Sequence, residues 1–504
     1  MAKTVTAGVF SSFALNPDSL HPAYRQLYHE LRRAMLSGRI SPNTRLPATR
    51  VLAEELGVSR NTITSAFDLL VEEGYLVSRV GAGTFVAENL PEDYQLPALA
   101  AKSKESPDLS SLADALSLRG RALARLSLST GPSTPAAFTP DIPAYDAFPI
   151  ELWSRIMASA WRNISLNSLG YADPAGQLPL REAISKHLQA GRLVDCEPGQ
   201  VIVTSGSQQS FDLIARLLLD PGDPVWIEEP GYIGARAALT AAGARLVPVP
   251  VDDEGINPEA GQHREPAPRM VLVAPSRQYP LGMTLSMRRR EALMSLSRST
   301  GAWIVEDDYD SEFRYDGRPL PALHSMGKDA RVIYVGTFSK SLLPVFRLGY
   351  LVVPKYLTAS FRNTKAIIDR HPPLLEQIAL QEFMEKGYFA SHIRRMRQLY
   401  GERQRTLISL LRDRLPDFLA VREANSGMHV VAFLRDGVDD VRFCADLAEA
   451  GVVARALSPY YATQPARHAL ILGFAAVPEA GLRAGVDRLV AVAMRYSAHE
   501  QDGT

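Results

Sequence analysis

Residues 331–354 read RVIYVGTFSKSLLPVFRLGYLVVP. Two apolar runs, 332–335 and 348–353, flank a polar segment that carries Thr337, Ser339, Lys340 and Arg347. Continuous runs of Val, Ile, Leu and Tyr are the pattern of strands buried in a parallel sheet. A lysine set directly after such a strand is open to desolvation, which lowers its pKa and makes its neutral amine nucleophilic. Two hydroxyls and an arginine beside it could hold a phosphate. Lysine plus phosphate grip is what a pyridoxal phosphate (PLP) Schiff-base site needs. A surface lysine on a loop fits the same local pattern, so the flanking sequence decides.

Working outward, short apolar runs recur at 201–204, 224–227, 246–249, 270–273 and 303–305, with helical patterns such as 208–219 and 288–299 between several of them. With the two runs above this makes about seven strands alternating with helices, the signature of a mostly parallel α/β sheet. Ligands of such sheets bind at the carboxyl ends of strands, and chemical groups fall there. VIVTSGSQQSF sets Gly206, Ser207 and Gln208 at a helix N-terminus, a phosphate cradle. IEEPGY sets Tyr232 just past a strand, where its ring could stack on a cofactor. WIVEDDYDSEF ends a strand on Glu306, Asp307, Asp308 and Tyr309. A carboxylate there can pair with a protonated pyridine nitrogen. No His cluster at ligand spacing accompanies these acids, so no metal is expected.

Downstream, 394–415 reads as a long helix. Strands at 430–434, 452–456 and 469–474 and helices at 441–449 and 478–494 make a small α+β unit. A hinge between it and the large unit could close over a ligand.

Upstream, three helical patterns (22–37, 48–56 and one capped by Ser59) precede a hairpin, 75–77 and 84–86, whose turn holds Gly81 and Gly83. This is a winged helix-turn-helix plan, in which the third helix enters the major groove by its N-terminal end. Arg60, Asn61 and Thr62 stand there; Arg and Asn are the side chains that read G and A edges. Arg45 and Arg50 are placed for phosphate contacts, and Arg79 lies beside the wing. Between the two parts, 89–127 is rich in Pro, Ser, Ala and charge and reads as a linker with a short helix around 111–123.

The totals are compatible with this plan. The chain has 504 residues, 46% apolar and 22% charged, with zero net charge, so no global basic field advertises DNA and any contact must come from a local patch. Cys196 and Cys444 are the only cysteines, which excludes a disulfide framework and fits a reducing cytoplasm. There is no signal-peptide core and no apolar run of membrane-spanning length.

RLPATRVLAEELGVSRNTITSAFDLLVEEGYLVSRVGAGTFV resembles the DNA-binding domain of GntR-type bacterial regulators. That resemblance implies DNA contacts by Arg50, Arg60, Asn61, Thr62 and Gly81; some relatives carry a basic residue where Thr64 stands here. From about residue 128, YADPAG, GSQQSFDL, EEPGY, EDDYDSEFRY and GTFSKSLLPVFRLGY resemble the fold type I aminotransferases. The whole chain is therefore similar to the MocR/GabR subfamily of GntR regulators.

The implied architecture is a winged helix-turn-helix domain (1–88), a linker (89–127), an aminotransferase-like large α/β domain (128–395) and a small α+β subdomain (396–504). By the same resemblance Lys340 forms the Schiff base with PLP, Asp307 pairs with the pyridine nitrogen, Tyr309 with the ring hydroxyl, and Tyr232 stacks on the ring. Gly206, Ser207, Gln208, Thr337, Ser339 and Arg347 bind its phosphate. Tyr171 reaches the phosphate of a partner subunit, which implies a homodimer.

Two positions depart from the aminotransferase pattern. Tyr279 stands where an Asn commonly bonds the ring hydroxyl. Ile471 stands where an arginine commonly holds the substrate carboxylate, leaving Arg467, and more weakly Arg455, as substitutes. The expected function is a cytoplasmic regulator that senses PLP or an amino compound at Lys340 and binds operator DNA. The alternatives are an aminotransferase that turns over, with an appended DNA-binding domain, and a DNA-binding protein whose large domain is only a dimerisation scaffold.

Overall fold

The computed structural model describes residues 10, 13, 21–79, 82–91, 116–124, 126, 136–315, 320–327, 331–465 and 467–501. The chain divides into two units, 1–107 and 108–504.

In the first unit, α1 (Ala23–Leu36), α2 (Thr49–Leu56) and α3 (Arg60–Glu72) precede β1 (Leu76–Arg79) and β2 (Gly83–Val86). Helical spacing puts Leu27, Leu31, Ala34 and Met35 on one face of α1, and Ile63, Ala66, Phe67 and Leu70 on one face of α3. These faces share one apolar core with Leu52, Leu76 and Val86. Gly57 closes α2 at φ 64°, a left-handed cap that glycine adopts without strain. Ser59 caps α3, its Oγ accepting from Thr62 N–H at 3.1 Å, which contributes about 1 kcal/mol. The hairpin pairs antiparallel, Leu76 opposite Val86 and Arg79 opposite Gly83.

In the second unit the first described element is the helix Leu118–Ala124, whose Arg119 donates to the Ala241 carbonyl at 3.5 Å. The end of the stretch read as a linker is thus built into this unit, while 92–115 lies outside the described residues. The main sheet has β3 (Val201–Thr204), β4 (Pro224–Glu229), β5 (Arg245–Asp252), β6 (Gly255–Ile256), β7 (Met270–Val273), β8 (Trp303–Asp308), β9 (Val332–Thr337) and β10 (Gly349–Val352). Their order is β3-β10-β9-β8-β7-β4-β5-β6.

Strands β9, β8, β7, β4 and β5 run parallel, and β10 runs antiparallel to both its neighbours. The sequence expectation of a parallel strand at 348–353 is therefore corrected. Residues 338–348 hold only a short 3-10 turn, Pro344–Phe346, and no helix to carry the chain across a face of the sheet as a parallel crossover does. Because β10 opposes both β3 and β9, those two strands point the same way. The carboxyl ends of β3, β4, β8 and β9 consequently share one edge of the sheet.

A second, antiparallel sheet is ordered β11 (Leu419–Arg422), β12 (His429–Leu434), β14 (Ala469–Gly473) and β13 (Arg455–Ala456). The helix Tyr388–Arg414 starts earlier than the sequence pattern suggests and buries Phe389, Ile393, Met396, Leu407 and Leu411. These side chains join Val203 and Tyr350 of the main sheet and Val430, Leu470 and Leu472 of the second in one continuous apolar core. Among the described residues no helix is long and apolar enough to cross a membrane.

Candidate functional site

A cavity of about 660 Å³ opens at the carboxyl edge of the main sheet. Its lining includes Gly206, Ser207, Gln208, Tyr232, Asp307, Tyr309, Thr337, Ser339, Lys340 and Arg347, each singled out in the sequence. Strand and turn geometry gathers them. β3 delivers Gly206 at φ 102°, and the helix Ser207–Leu218 starts there with no side-chain cap, so its first N–H groups face the cavity end as an anion site. Arg347, itself left-handed at φ 49°, sets its guanidinium beside this turn: a Cβ on Gly206 would lie 3.6 Å from its Nη atoms. The approach requires Gly349, whose own Cβ would fall 2.8 Å from Gly206 Cα. Thr337 Oγ1 accepts from Ser339 N–H at 3.2 Å and shapes the turn that leads to Lys340.

Strand alternation sorts the acids of β8. Glu306 accepts from the Leu323 and His324 N–H groups, both at 3.0 Å. Asp308 takes Arg192 Nε at 2.8 Å and the Tyr334 hydroxyl. Asp307 alone of the three faces the cavity, buried, and its Oδ1 has no hydrogen-bond partner among the described residues. Burial, reinforced by Asp308 and Asp310, pushes its pKa up to about 8, with Lys340 pulling the other way. A buried carboxylate with an orphaned oxygen fits a cationic N–H, and this end of the cavity suits a pyridinium nitrogen.

Lys340 also lines the cavity and donates to the Asp141 carbonyl at 3.0 Å. Burial, with Arg455 nearby, lowers its ammonium pKa against the pull of Asp141, Asp310 and Asp307. The cavity wall is aromatic: Tyr279 packs edge-on against Tyr232, Tyr309 and Tyr460 with ring centroids 5.5–5.7 Å apart. The Tyr309 hydroxyl lies 3.3 Å from Arg277 Nη1.

The two arginines offered for a substrate carboxylate differ in their surroundings. Arg467 is exposed, sits over the Phe433 ring at 3.7 Å and is not among the cavity-lining residues. Arg455 does line the cavity, and in the β13–β14 register it stands directly opposite Ile471. An arginine is thus present next door to the expected place, on the neighbouring strand. Its Nη1 donates to Asp141 Oδ2 at 2.7 Å, and Tyr279 OH donates to the same oxygen at 2.7 Å. Asp141 and Tyr460 went unnoticed in the sequence, because neither stands in a quoted motif. Tyr171 is 84% exposed and does not line the cavity; its ring lies under the Arg370 guanidinium at 5.2 Å. Among the described residues no group of three or more His, Cys, Asp or Glu is placed to hold a metal ion.

In the first unit Arg45, Arg50, Arg60 and Asn61 are exposed. Thr62 is half-buried, and its hydroxyl bonds Ser59 Oγ at 2.8 Å. Thr64 donates back to the Arg60 carbonyl at 3.0 Å. Arg45 bridges β2 at Phe85, Arg79 lies over the Phe85 ring at 4.8 Å, and Gly81 lies outside the described residues.

Fold and cavity together define an aminotransferase-type α/β unit that follows a winged helix-turn-helix unit in the chain. Residues 152–489 match the aminotransferase class I and II family, and residues 23–86 match the gntR family of bacterial regulatory proteins. The chain is 42% identical over 476 residues, 94% of each protein, to the probable rhizopine catabolism regulatory protein MocR of Rhizobium meliloti. It is 32% identical over 472 residues, 93% of this chain and 96% of the relative, to the pyridoxine biosynthesis transcriptional regulator PdxR of Corynebacterium glutamicum. Among solved structures it resembles the α-aminoadipate aminotransferase LysN of Thermus thermophilus, complexed with N-(5'-phosphopyridoxyl)-L-leucine. That match has TM-score 0.70 and 27% identity and covers 77% of this chain and 99% of LysN. The chain belongs to the MocR group of GntR-type transcriptional regulators.

Proposed function

We propose that this regulator holds PLP at Lys340 and uses it to sense an amine, or senses PLP itself, and that the ligand changes its hold on operator DNA. One observation carries the reading. A buried Asp307 with an orphaned oxygen, an uncapped helix N-terminus beside Arg347, and Lys340 all line one cavity. The carboxyl suits a pyridinium nitrogen and the helix N-terminus a phosphate. Bound PLP would supply an electrophilic carbon for primary amines.

The chain's own residues do the rest. Gly206, Ser207, Gln208, Thr337, Ser339 and Arg347 hold the phosphate. Tyr232 covers the ring, Tyr309 meets the ring hydroxyl, and Asp307 keeps the ring nitrogen protonated. Lys340, its ammonium pKa lowered by burial, gives up its proton more readily than a free lysine. Arg455 orients the far end of the effector. Tyr171, exposed in the single chain, completes the phosphate site of a second copy in a homodimer. Arg50, Arg60, Asn61, Thr62 and the wing glycine Gly81 contact operator DNA, Arg45 contacts phosphate, and the protein acts in the cytoplasm. Residues 89–107 link the DNA-binding and sensing domains.

Regulation requires the ligand to favour one state of the protein by a free-energy difference. Turnover as an aminotransferase is the second reading. The Lys340, Asp307 and Arg347 arrangement favours it, whereas Ile471 and the engagement of Arg455 by Asp141 disfavour it.

The test is gel-shift titration on DNA upstream of the neighbouring genes, with and without PLP and primary amines, for the parent and Lys340→Ala. The parent should respond, and the variant should lose both the response and the PLP adduct that borohydride fixes on the lysine. An adduct of equal yield in the variant would overturn the assignment of Lys340. Sustained conversion of an amine and a keto acid over many turnovers would replace the sensor by the enzyme.

A further inference from the structure

Asp141 reaches the cavity by an unusual route. Residues 136–141 lie against the second sheet: Gly473 N–H donates to the Phe138 carbonyl at 2.9 Å and Val453 N–H to the Ala137 carbonyl at 3.1 Å. The packing is tight, since a Cβ on Gly473 would fall 2.1 Å from the Thr139 carbonyl oxygen. Asp141 itself has φ 66°, in the left-handed region where glycine sits freely and other residues are strained. Aspartate tolerates this conformation better than most side chains. A residue held so beside a ligand site calls for a reason in its side chain.

The contacts of that side chain supply one. Oδ2 accepts from Arg455 Nη1 and from Tyr279 OH, both at 2.7 Å, and Oδ1 lies 3.7 Å from His429 Nδ1. The Asp141 carbonyl receives Lys340 Nζ at 3.0 Å. Burial alone would raise the carboxyl's pKa, but Lys340, His429 and Arg455 outweigh it and hold the group well below its ordinary value. Asp141 is therefore a fixed anion, and it occupies Arg455, the arginine opposite Ile471.

We propose that Asp141 sets the class of effector: a primary amine whose group facing Arg455 is a hydroxyl and not a carboxylate. The proposal rests on the reading of the cavity as a PLP and amine site. A ligand carboxylate that approached Arg455 would meet a second anion already seated on the same guanidinium, and like charges in a partly desolvated site repel strongly. A hydroxyl has no such conflict, for it can donate to Asp141 and accept from Arg455 or Tyr279. The strained aspartate thus turns an arginine that would hold carboxylates into half of a neutral, hydroxyl-binding pair.

The full chain loaded with PLP is titrated with 5-amino-1-pentanol and with 5-aminopentanoate, followed by its visible spectrum, for the parent, Asp141→Gly and Asp141→Asn. The parent should favour the alcohol by at least about 10-fold, and Asp141→Gly should move the ratio about 100-fold toward the carboxylate. Asp141→Asn should fall between them. A parent that prefers the carboxylate, or a ratio unchanged in both variants, overturns the proposal and leaves Asp141 a structural tie.

A second arm needs no cofactor. Calorimetric titration with pentanoate should detect binding to PLP-free Asp141→Gly and none to the PLP-free parent; equal binding overturns the proposal. A parent that takes up no PLP would refute the proposed function, and this arm would still decide the role of Asp141.

Discussion

Replacing Asp307 by asparagine tests the site through its protons. In the folded chain burial and the neighbouring Asp308 and Asp310 raise the Asp307 pKa to about 8 from the ordinary value of 3.8. Between those values the folded chain keeps a proton that the unfolded chain has released. The sign follows: with the folded pKa raised, stability is greatest at low pH and falls as pH climbs from about 4 to about 8. One proton corresponds to a slope of at most about 1.4 kcal/mol per pH unit. Asp307→Asn removes that slope, and Glu228, itself raised by burial and by Asp307 to about 8, is relieved in the same direction. The PLP-free variant should therefore outlast the PLP-free parent in urea, by a margin that widens from pH 6 to pH 8 and levels above it. The same variant should lose PLP affinity by about 10-fold or more, because a neutral amide pairs less strongly with a pyridinium nitrogen than a carboxylate does. Urea unfolding at pH 6, 7, 8 and 9, with PLP content measured in parallel, checks both. Parallel pH profiles for parent and variant would refute the buried, unpartnered carboxylate on which the site is argued.

Arg60→Ala should weaken specific operator binding by about 1–3 kcal/mol and leave binding to unrelated DNA nearly unchanged; an unaltered gel-shift titration would reject α3 as the reading helix. Gly349→Ala should destabilise the second unit by about 1–3 kcal/mol and reduce its PLP content. The new Cβ meets the backbone of Gly206 and the Gly336 carbonyl oxygen at 2.8–3.0 Å, with no side chain free to move aside. A thermal midpoint and PLP content equal to the parent's would show that the turn has room.

The sequence was legible where local pattern and chemistry coincide. Ser59, followed by an apolar face of helical spacing, foretold α3 within a residue, because an N-cap and a period of 3.6 are local properties. The strand ends that carry Gly206, Asp307 and Lys340 were readable for the same reason, each being a short apolar run followed by a polar turn. Strand direction was not readable. The apolar run at 348–353 looks identical in a parallel or an antiparallel strand, and only the connection decides. Chain distance from Ile471 favours Arg467 over Arg455, whereas cross-strand register places Arg455 beside it. Asp141 lies far from every motif, and its entry into the cavity depends on hydrogen bonds to Val453 and Gly473, contacts that no local window contains.

The helix Tyr388–Arg414 has a mechanical consequence. Its 27 residues make a rod about 40 Å long, seated in an apolar core shared by both sheets. A hinge between the sheets would have to split that buried surface and expose it to water. The sheets are better pictured as one chassis. The strip at 136–141 is bolted to that chassis by backbone hydrogen bonds and by Phe138 in the core, and it holds Asp141 against Lys340 and Arg455.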